Sequence, residues 1–352
     1  MSAHPKAQKG RGTINGIDGR FNEFQRTEID DGWFHDEPAL IPTVISVETP
    51  RSIISKNQSP DVPFQQSINP YRGCEHGCIY CYARPSHAYL GLSPGIDFET
   101  KLTIKPNAAD ILRAELMAKN YHCSTLSLGA NTDPYQPIER DYKITRDILK
   151  LMIEFNHPVN IVTKSSLIER DIDLLKQLAE KQLVNVQLSI TTLDKTLARK
   201  LEPRASSPQR RLQTISTLID NGIPVSVLIA PVIPVLTDTE LENIIDACVK
   251  AGAESIEYIF VRLPREVSPL FSDWLQIHYP DKAEHVMNRI KDSRSGKTND
   301  PRFGYRLQGE GIYAEMVKKR FNVAIKKYQL NPSSSVLRTD LFHKPTKQMN
   351  LF

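Results

Sequence analysis

Three of the chain's five cysteines fall within eight residues, at Cys74, Cys78 and Cys81. Thiolates are soft ligands that suit both zinc and iron–sulfur clusters, and three of them on one short segment can surround one face of a metal centre. The same stretch contains Gly73 and Gly77, which supply the backbone freedom that a tight loop needs. The spacing therefore predicts a metal or cluster site on this segment.

The number of cysteines leaves two interpretations of this site open. Structural zinc sites and iron–sulfur clusters are normally held by four protein ligands, and no fourth cysteine lies nearby in the sequence. A histidine, His76 or His87, could complete a zinc site of three cysteines and one histidine. Alternatively, the fourth position is kept open for a small molecule. The remaining two cysteines, Cys123 and Cys248, are expected to be packing residues.

The elements that must position these thiolates alternate between strand and helix patterns. Short apolar, β-branched runs are typical of buried parallel strands. They predict six strands, around Ser67–Asn69, Thr125–Leu128, Val159–Thr163, Val184–Ile190, Val225–Ile229 and Ser255–Val261. We therefore expect a parallel α/β fold, either an open sheet or a barrel short of the eight units of a complete one. The cysteines follow the first strand, at the end of a parallel sheet where active sites lie.

Composition divides the chain into four regions. Residues 1–60 are rich in Gly, Pro, Asp and Ser and are expected to form a loosely structured N-terminal arm. Residues 61–265 carry the alternating pattern and should form the core, residues 266–330 a helical C-terminal extension, and residues 331–352 a flexible polar tail.

Composition also excludes several classes of protein. With 40% hydrophobic and 24% charged residues, the chain is not wholly disordered, and five cysteines are too few for a disulfide framework. A net charge of +4 permits an acidic partner without requiring one. No apolar run has the length of a membrane helix or the form of a signal peptide, so we expect a cytoplasmic protein that does not associate with membranes.

The cysteine spacing resembles a known signature. The pattern Cys74-x3-Cys78-x2-Cys81, with the aromatic Tyr80 before the last cysteine, is similar to the motif of the radical S-adenosylmethionine (SAM) superfamily. Three longer runs resemble a bacterial group of that superfamily related to spore photoproduct lyase. They read NPYRGCEHGCIYCYARP at 69–85, NTDPYQPIER at 131–140 and QGEG at 308–311.

The resemblance implies a fold, two cofactors and a chemistry. It implies a partial (β/α)6 barrel and a 4Fe–4S cluster with three irons on cysteines and the fourth chelated by SAM. The reduced cluster would cleave SAM to a 5′-deoxyadenosyl radical, which abstracts hydrogen from a substrate. It also implies an electron donor of the flavodoxin or ferredoxin type. A nucleic-acid substrate and repair of a DNA lesion are expected; modification of RNA or protein, and a zinc-stabilised nucleic-acid adaptor without catalysis, are the alternatives.

Position within the family's pattern also implies which residues contact SAM. They are Tyr80 beside the adenine, Asn131, Thr132 and Asp133 near the amino group, Lys164 and Ser189 late in two strands, and Arg204. For Arg204 the expected role is a carboxylate clamp, because a guanidinium matches the fork of a carboxylate.

The sequence departs from the lyase pattern at one position. The lyase needs a cysteine there to return a hydrogen atom to its product, and this chain has Ala130. Cys123 lies seven residues earlier, which is roughly 20 Å along an extended strand and too far to substitute. We therefore hypothesise that a tyrosine, Tyr82 or Tyr135, is the hydrogen donor.

The last five residues resemble the short peptide with which bacterial DNA-repair proteins bind the polymerase sliding clamp. In that resemblance Gln348 supplies a hydrogen bond, and Leu351 and Phe352 form a hydrophobic anchor pair on a flexible tether. The tail therefore predicts the sliding clamp as a partner.

Overall fold

The structure is a computed structural model that describes residues 10–13, 16–21, 41–330 and 336–345. The strands of these residues are β1 (Val44–Val47), β2 (Ile54–Lys56), β3 (Gln66–Ile68), β4 (Tyr71–Arg72), β5 (Lys101–Ile104), β6 (Leu126–Leu128), β7 (Val159–Thr163), β8 (Val184–Ser189), β9 (Val225–Val232) and β10 (Ser255–Phe260). The helices are α1 (Asp97–Thr100), α2 (Ala108–Met117), α3 (Glu139–Tyr142), α4 (Ile144–Glu154), α5 (Ile172–Ala179), α6 (Lys195–Leu201), α7 (Pro208–Asp220), α8 (Leu241–Lys250), α9 (Val267–His278), α10 (Pro280–Asp292) and α11 (Gly311–Lys327). Short 3-10 helices cover Arg84–Leu90, Ser166–Asp171 and Asp238–Glu240.

The main sheet contains the six predicted strands. Strands β3, β6, β7, β8, β9 and β10 are parallel and lie side by side in chain order, and β2 pairs antiparallel at the β3 edge. Each predicted strand overlaps one of these six, so the predicted parallel α/β fold is confirmed. Because the strands are parallel, their carboxyl ends share one edge, where the loops that follow them can meet.

The sheet is buried under amphipathic helices. Val159, Ile161 and Thr163 alternate along β7 with less buried neighbours, while Ile148 and Met152 of α4 are fully buried. Such burial of large aliphatic side chains contributes about 1.5–3 kcal/mol each to folding. The sheet is therefore a rigid base for the loops at its carboxyl edge.

A second, smaller sheet lies beside the cysteine segment. In it β5 pairs parallel with β1 and antiparallel with β4. Composition gave no signal for this sheet, because β4 has two residues and β1 is mostly exposed. Two strands, β1 and β2, thus lie within the region of residues 1–60 that we expected to be loosely structured.

The region after residue 265 is helical, as predicted. Trp274 of α9 is fully buried, and its indole N–H donates a hydrogen bond of 3.2 Å to the carbonyl of Lys200 in α6. In the predicted tail, residues 336–345 contact the core, since the Phe342 ring stacks 6.3 Å from that of Phe155 and the His343 amide donates to the Phe155 carbonyl. No helix in the described ranges is long and apolar enough to span a membrane.

Candidate active site

The cysteine segment is a tight loop that begins after β4. Gly73 and Gly77 have φ angles of +74° and +68°, in the left-handed region that glycine tolerates best. A Cβ atom at Gly73 would lie 2.5 Å from the Leu102 side chain, and one at Gly77 would lie 2.7 Å from the Glu99 carboxylate. The loop therefore requires glycine at both positions.

The three thiols of this loop are free and largely shielded from solvent. Cys74 and Cys78 are buried, and Cys81 is half-buried. Burial raises the pKa of all three thiols, and the Asp133 and Glu202 carboxylates raise those of Cys74 and Cys78 further. Thiolates at these positions need compensating positive charge, which coordinated iron supplies. The donor set and its close-packed glycine loop thus fit an iron–sulfur cluster.

Each histidine considered as a zinc ligand has one ring nitrogen beside another partner. His76 Nδ1 lies 3.3 Å from the Asp133 carboxylate. His87 is fully buried, its Nε2 is 3.0 Å from the carbonyl oxygen of Lys101, and burial lowers its pKa. Within the described parts of the chain, no group of three or more His, Cys, Asp or Glu side chains surrounds a single metal position.

Asp133 ties the cysteine loop to the end of β7. Its carboxylate accepts hydrogen bonds from the Thr163 hydroxyl at 2.7 Å and the Lys164 amide at 2.8 Å. Burial acts to raise the pKa of Asp133, but His76 and these hydrogen bonds outweigh it and leave the pKa lowered. Asp133 is therefore ionised and links the cysteine loop to the loop that follows β7.

Asn131 and Thr132 lie in the same loop with different roles. Their amides donate to the Asn69 side chain at 3.1 and 3.4 Å, which joins the loops after β3 and β6. The Thr132 hydroxyl donates to the Tyr71 carbonyl at 3.0 Å. The Asn131 side chain is exposed and has no hydrogen-bond partner among the described residues, so it is the member of this pair that is free to bind a ligand.

Lys164 and Ser189 converge at the carboxyl ends of β7 and β8. The ammonium of Lys164 donates to the Ser189 hydroxyl at 2.5 Å and to the Ala230 carbonyl of β9 at 3.3 Å. The Ser189 hydroxyl also donates to the Ala230 carbonyl, at 3.1 Å. Three neighbouring strands thus contribute to one polar cluster. Lys164 and Ser189, both predicted to contact SAM, meet in it.

Glu202 is the centre of this cluster, a role that no motif in the sequence indicated. Its carboxylate accepts hydrogen bonds from Tyr80, Thr191 and Arg211 and lies 3.7 Å from Lys164 Nζ. Burial acts to raise the pKa of Glu202, but Arg211 and Lys164 lower it to about 2. Glu202 is therefore ionised and fixes the Tyr80 side chain through its hydroxyl.

Arg204 lies apart from this cluster, beside the cysteine loop. Its guanidinium is 3.3 Å from the Glu75 carboxylate, and its amide donates to the His76 carbonyl at 3.3 Å. Glu75 also accepts a hydrogen bond of 2.6 Å from the Thr43 hydroxyl. The expected carboxylate clamp thus already binds a carboxylate of the protein.

The two candidate hydrogen donors are in different surroundings. The Tyr82 hydroxyl donates to the carbonyl of Ala130, the ring is 46% exposed, and the Arg262 guanidinium lies 4.7 Å from its centroid. Tyr135 is fully buried, and its hydroxyl donates to the Asp171 carboxylate at 3.1 Å. Of the two tyrosines, Tyr82 is thus the one whose hydroxyl contacts Ala130, the residue that replaces the cysteine of the lyase pattern.

Comparisons with known proteins identify the family of this chain. The sequence profile of the Radical SAM superfamily matches residues 68–248, from the end of β3 to α8. An uncharacterised protein of Mycobacterium tuberculosis is 34% identical, over 76% of each chain. The chain therefore belongs to the radical SAM superfamily, as its cysteine motif predicted.

Two solved structures have a fold similar to that of this chain. A mutant of spore photoproduct lyase superimposes with a TM-score of 0.58 at 16% identity, covering 81% of this chain and 79% of the other. The lyase complexed with dinucleoside spore photoproduct superimposes with a TM-score of 0.57 at 15% identity over the same shares. The fold is thus similar to that of spore photoproduct lyase, and the expected resemblance to that group is confirmed at the level of the fold.

Proposed function

We propose that this protein is a radical SAM enzyme that repairs a lesion in DNA by a lyase-like reaction. The observation that carries the radical SAM chemistry is the convergence of Lys164 and Ser189 at the same sheet edge as the three-cysteine loop, in a chain of the radical SAM superfamily. Cys74, Cys78 and Cys81 would hold a 4Fe–4S cluster. When bound and reduced, that cluster supplies the electron that cleaves SAM to methionine and a 5′-deoxyadenosyl radical.

The polar residues around the loop would bind and orient SAM. The Lys164 ammonium is a compact positive charge for its carboxylate, with Ser189 beside it, and the exposed Asn131 amide is available to the amino group. Tyr80, held by Glu202, would lie beside the adenine. Arg204 lies 3.3 Å from the Glu75 carboxylate, closer than the 3.7 Å between Lys164 and Glu202, so we propose that Arg204 orients the cysteine loop while Lys164 takes the SAM carboxylate.

Tyr82 is the proposed donor of the hydrogen atom that ends the reaction on the substrate. Its O–H bond would break as a C–H bond forms on the substrate radical, and the resulting tyrosyl radical would take up one electron from the proposed electron donor and one proton. Its hydroxyl lies at the carbonyl of Ala130, the position where the lyase pattern has its cysteine. The half-exposed ring also leaves room for a substrate to approach. Tyr135, the other candidate, is enclosed in the core beside Asp171.

The DNA substrate is proposed from the likeness in fold to spore photoproduct lyase, one structure of which is complexed with dinucleoside spore photoproduct. An electron donor of the flavodoxin or ferredoxin type and a cytoplasmic location belong to the same proposal.

Gln348, Leu351 and Phe352, proposed to bind the sliding clamp, lie outside the described residues. Deleting the last five residues should abolish clamp binding, which surface-immobilised clamp would report.

Anaerobic reconstitution tests the cofactor assignment. The protein incubated with iron and sulfide should turn brown, lose its visible absorbance on reduction by dithionite, and then convert SAM to 5′-deoxyadenosine. Cys78→Ser should abolish all three properties, while Cys123→Ser, at a half-buried site remote in sequence, should retain them. A colourless protein that keeps zinc after reconstitution would contradict the proposal and favour the zinc-stabilised adaptor.

Deuterium transfer tests the substrate class. The reduced protein is incubated with SAM and deuterated DNA that carries defined pyrimidine lesions, with undamaged DNA, RNA and a protein mixture in parallel. We expect deuterium in 5′-deoxyadenosine from one lesion only. Transfer from RNA or protein alone would replace the DNA assignment with the corresponding modification reaction.

A further inference from the structure

The back of the cysteine loop is held by a buried ion pair, Arg84 with Glu99. The two side chains are fully buried, and the guanidinium lies 2.7 Å from the carboxylate. Arg84 also donates to the carbonyl oxygens of Gly77 at 3.1 Å and Cys78 at 2.9 Å. One side chain thus fixes two successive carbonyls of the segment that carries the thiols.

Residues 10–13, here called the N-terminal strap, complete the hydrogen bonds of Glu99. The Gly12 amide donates to one carboxylate oxygen at 2.9 Å, and the Thr13 amide and hydroxyl donate to the other, each at 3.0 Å. Arg11 bonds the Glu99 carbonyl at 2.9 Å and the Ile41 carbonyl at 2.7 Å. Among the described residues, four donors reach this buried carboxylate, and three of them come from the strap.

The strap also contacts the loop backbone directly. A Cβ atom at Gly12 would lie 1.8 Å from the carbonyl oxygen of Gly77, a contact that no side chain can make. Thr13 is fully buried. In contrast, a Cβ atom at Gly16 would meet only the Ser93 hydroxyl at 3.8 Å and Ile96 at 3.9 Å, which is ordinary contact. The fit at Gly12 is thus specific to that glycine.

We propose that the N-terminal strap, acting through Glu99 and Arg84, positions the cysteine loop and closes its back to solvent. Without the strap the Glu99 carboxylate loses most of its donors, and a buried charge with missing partners draws in water or moves. The loop, which contains two left-handed glycines, would then sample open conformations. Arg84 and Glu99 are positioning residues here; the identity of the bound group rests on the proposed function.

Gly12→Ala with Gly16→Ala as its matched control tests the strap. The first readout is the rate at which Cys74, Cys78 and Cys81 are alkylated in the apoprotein, mapped by mass spectrometry with Cys123 as internal reference. We expect Gly12→Ala to accelerate alkylation of the three thiols about tenfold, the effect of losing one buried hydrogen bond to a charged group. In Gly16→Ala the alkylation rates of the three thiols should remain at their wild-type values. The alkylation rate of Cys123 should be unchanged in both variants.

The second readout is the rate at which the reconstituted protein loses its visible absorbance to an iron chelator. It should rise in Gly12→Ala and stay unchanged in Gly16→Ala, with the thermal unfolding midpoint of the core the same in both. Thr13→Val, which removes one hydroxyl donor, should act in the same direction, and Thr13→Ser should restore the wild-type rate.

Two results would contradict the proposed role of the strap. One is wild-type alkylation rates in both Gly12→Ala and Thr13→Val; the other is an equal increase of the alkylation rates in Gly12→Ala and Gly16→Ala. Because alkylation is measured on apoprotein, it reports on the strap even where the wild-type protein binds no cluster. Absence of a cluster in the wild-type protein would instead refute the proposed function alone.

Discussion

The hydroxyl of Tyr82 donates a hydrogen bond to the backbone carbonyl of Ala130. Tyr82 directly follows the last cysteine of the loop, and Ala130 lies two residues after the end of β6. The contact therefore joins the proposed cluster loop to the position where the lyase pattern has a cysteine. It brings a phenolic hydrogen to a position that lacks a thiol.

Removal of that hydroxyl should change the fate of the substrate radical without preventing its formation. For Tyr82→Phe we expect 5′-deoxyadenosine at close to the wild-type rate and at least a tenfold loss of the normal product, because the phenyl ring has no hydrogen atom of comparable reactivity. Both quantities are measured by mass spectrometry of single-turnover reactions.

Tyr135→Phe is the matched control for that variant. It should leave the product distribution unchanged but lower the free energy of unfolding by about 1–3 kcal/mol, because the buried Asp171 carboxylate loses a donor. A normal product distribution in Tyr82→Phe, or an altered one in Tyr135→Phe, would remove Tyr82 as the donor.

A thiol introduced at residue 130 should rescue the loss of the phenol. In the double variant Tyr82→Phe with Ala130→Cys we expect the normal product to recover, because a thiol gives up a hydrogen atom readily and would lie close to the former hydroxyl. Ala130→Ser in the same background is the control, since its O–H bond is too strong to act in this way. If cysteine and serine leave the product equally low, residue 130 does not face the substrate radical.

The meeting of Lys164 and Ser189 follows from their predicted positions late in two strands, because strand register is a simple consequence of a parallel sheet. Thr163 of β7 pairs with Leu188 of β8, so the next residue on each strand lies at the same level. Once two neighbouring strands are recognised from their apolar runs, polar residues at their carboxyl ends are expected to meet.

The sequence did not predict the role of Glu202, because its partners come from distant parts of the chain. Tyr80 is 122 residues away and Lys164 comes from another strand end. Neither spacing nor hydrophobic periodicity marks such a network. Gly12 was missed for a related reason: glycine-rich composition favours a loose segment, whereas here the glycine is required by contact with Gly77.

Loss of the Lys164 charge should weaken SAM binding specifically. For Lys164→Met we expect the Kd for SAM to rise by roughly 10- to 100-fold, since hydrogen bonds to charged groups contribute about 1.5–3 kcal/mol. Ser189→Ala should have a smaller effect, because it removes a neutral partner. Equilibrium dialysis of the reconstituted protein measures both, with iron content as the control. Unchanged SAM affinity at wild-type iron content would remove Lys164 from the SAM site.

The ionised Glu202 should make the apoprotein sensitive to acid. Its pKa is lowered to about 2 in the folded protein, whereas an unperturbed glutamate titrates near pH 4.3. Because the pKa of Glu202 is lower in the folded than in the unfolded protein, its ionisation stabilises the fold at pH values above about 4.3. This contribution is lost as the pH falls from about 4.3 towards 2. Glu202→Gln should therefore lower the free energy of unfolding by on the order of 3 kcal/mol at pH 7, as measured by urea titration.

The difference between wild type and Glu202→Gln should shrink when the same titrations are made at successively lower pH below 4. Glu48→Gln provides the comparison, because Glu48 pairs with Arg72 at the surface, where an ion pair contributes only about 0–1 kcal/mol. If the Glu202→Gln difference is as small as that of Glu48→Gln at pH 7, or does not change with pH, Glu202 does not stabilise the fold as an ionised group. Tyr80, Lys164 and Arg211 would then be held by their other contacts.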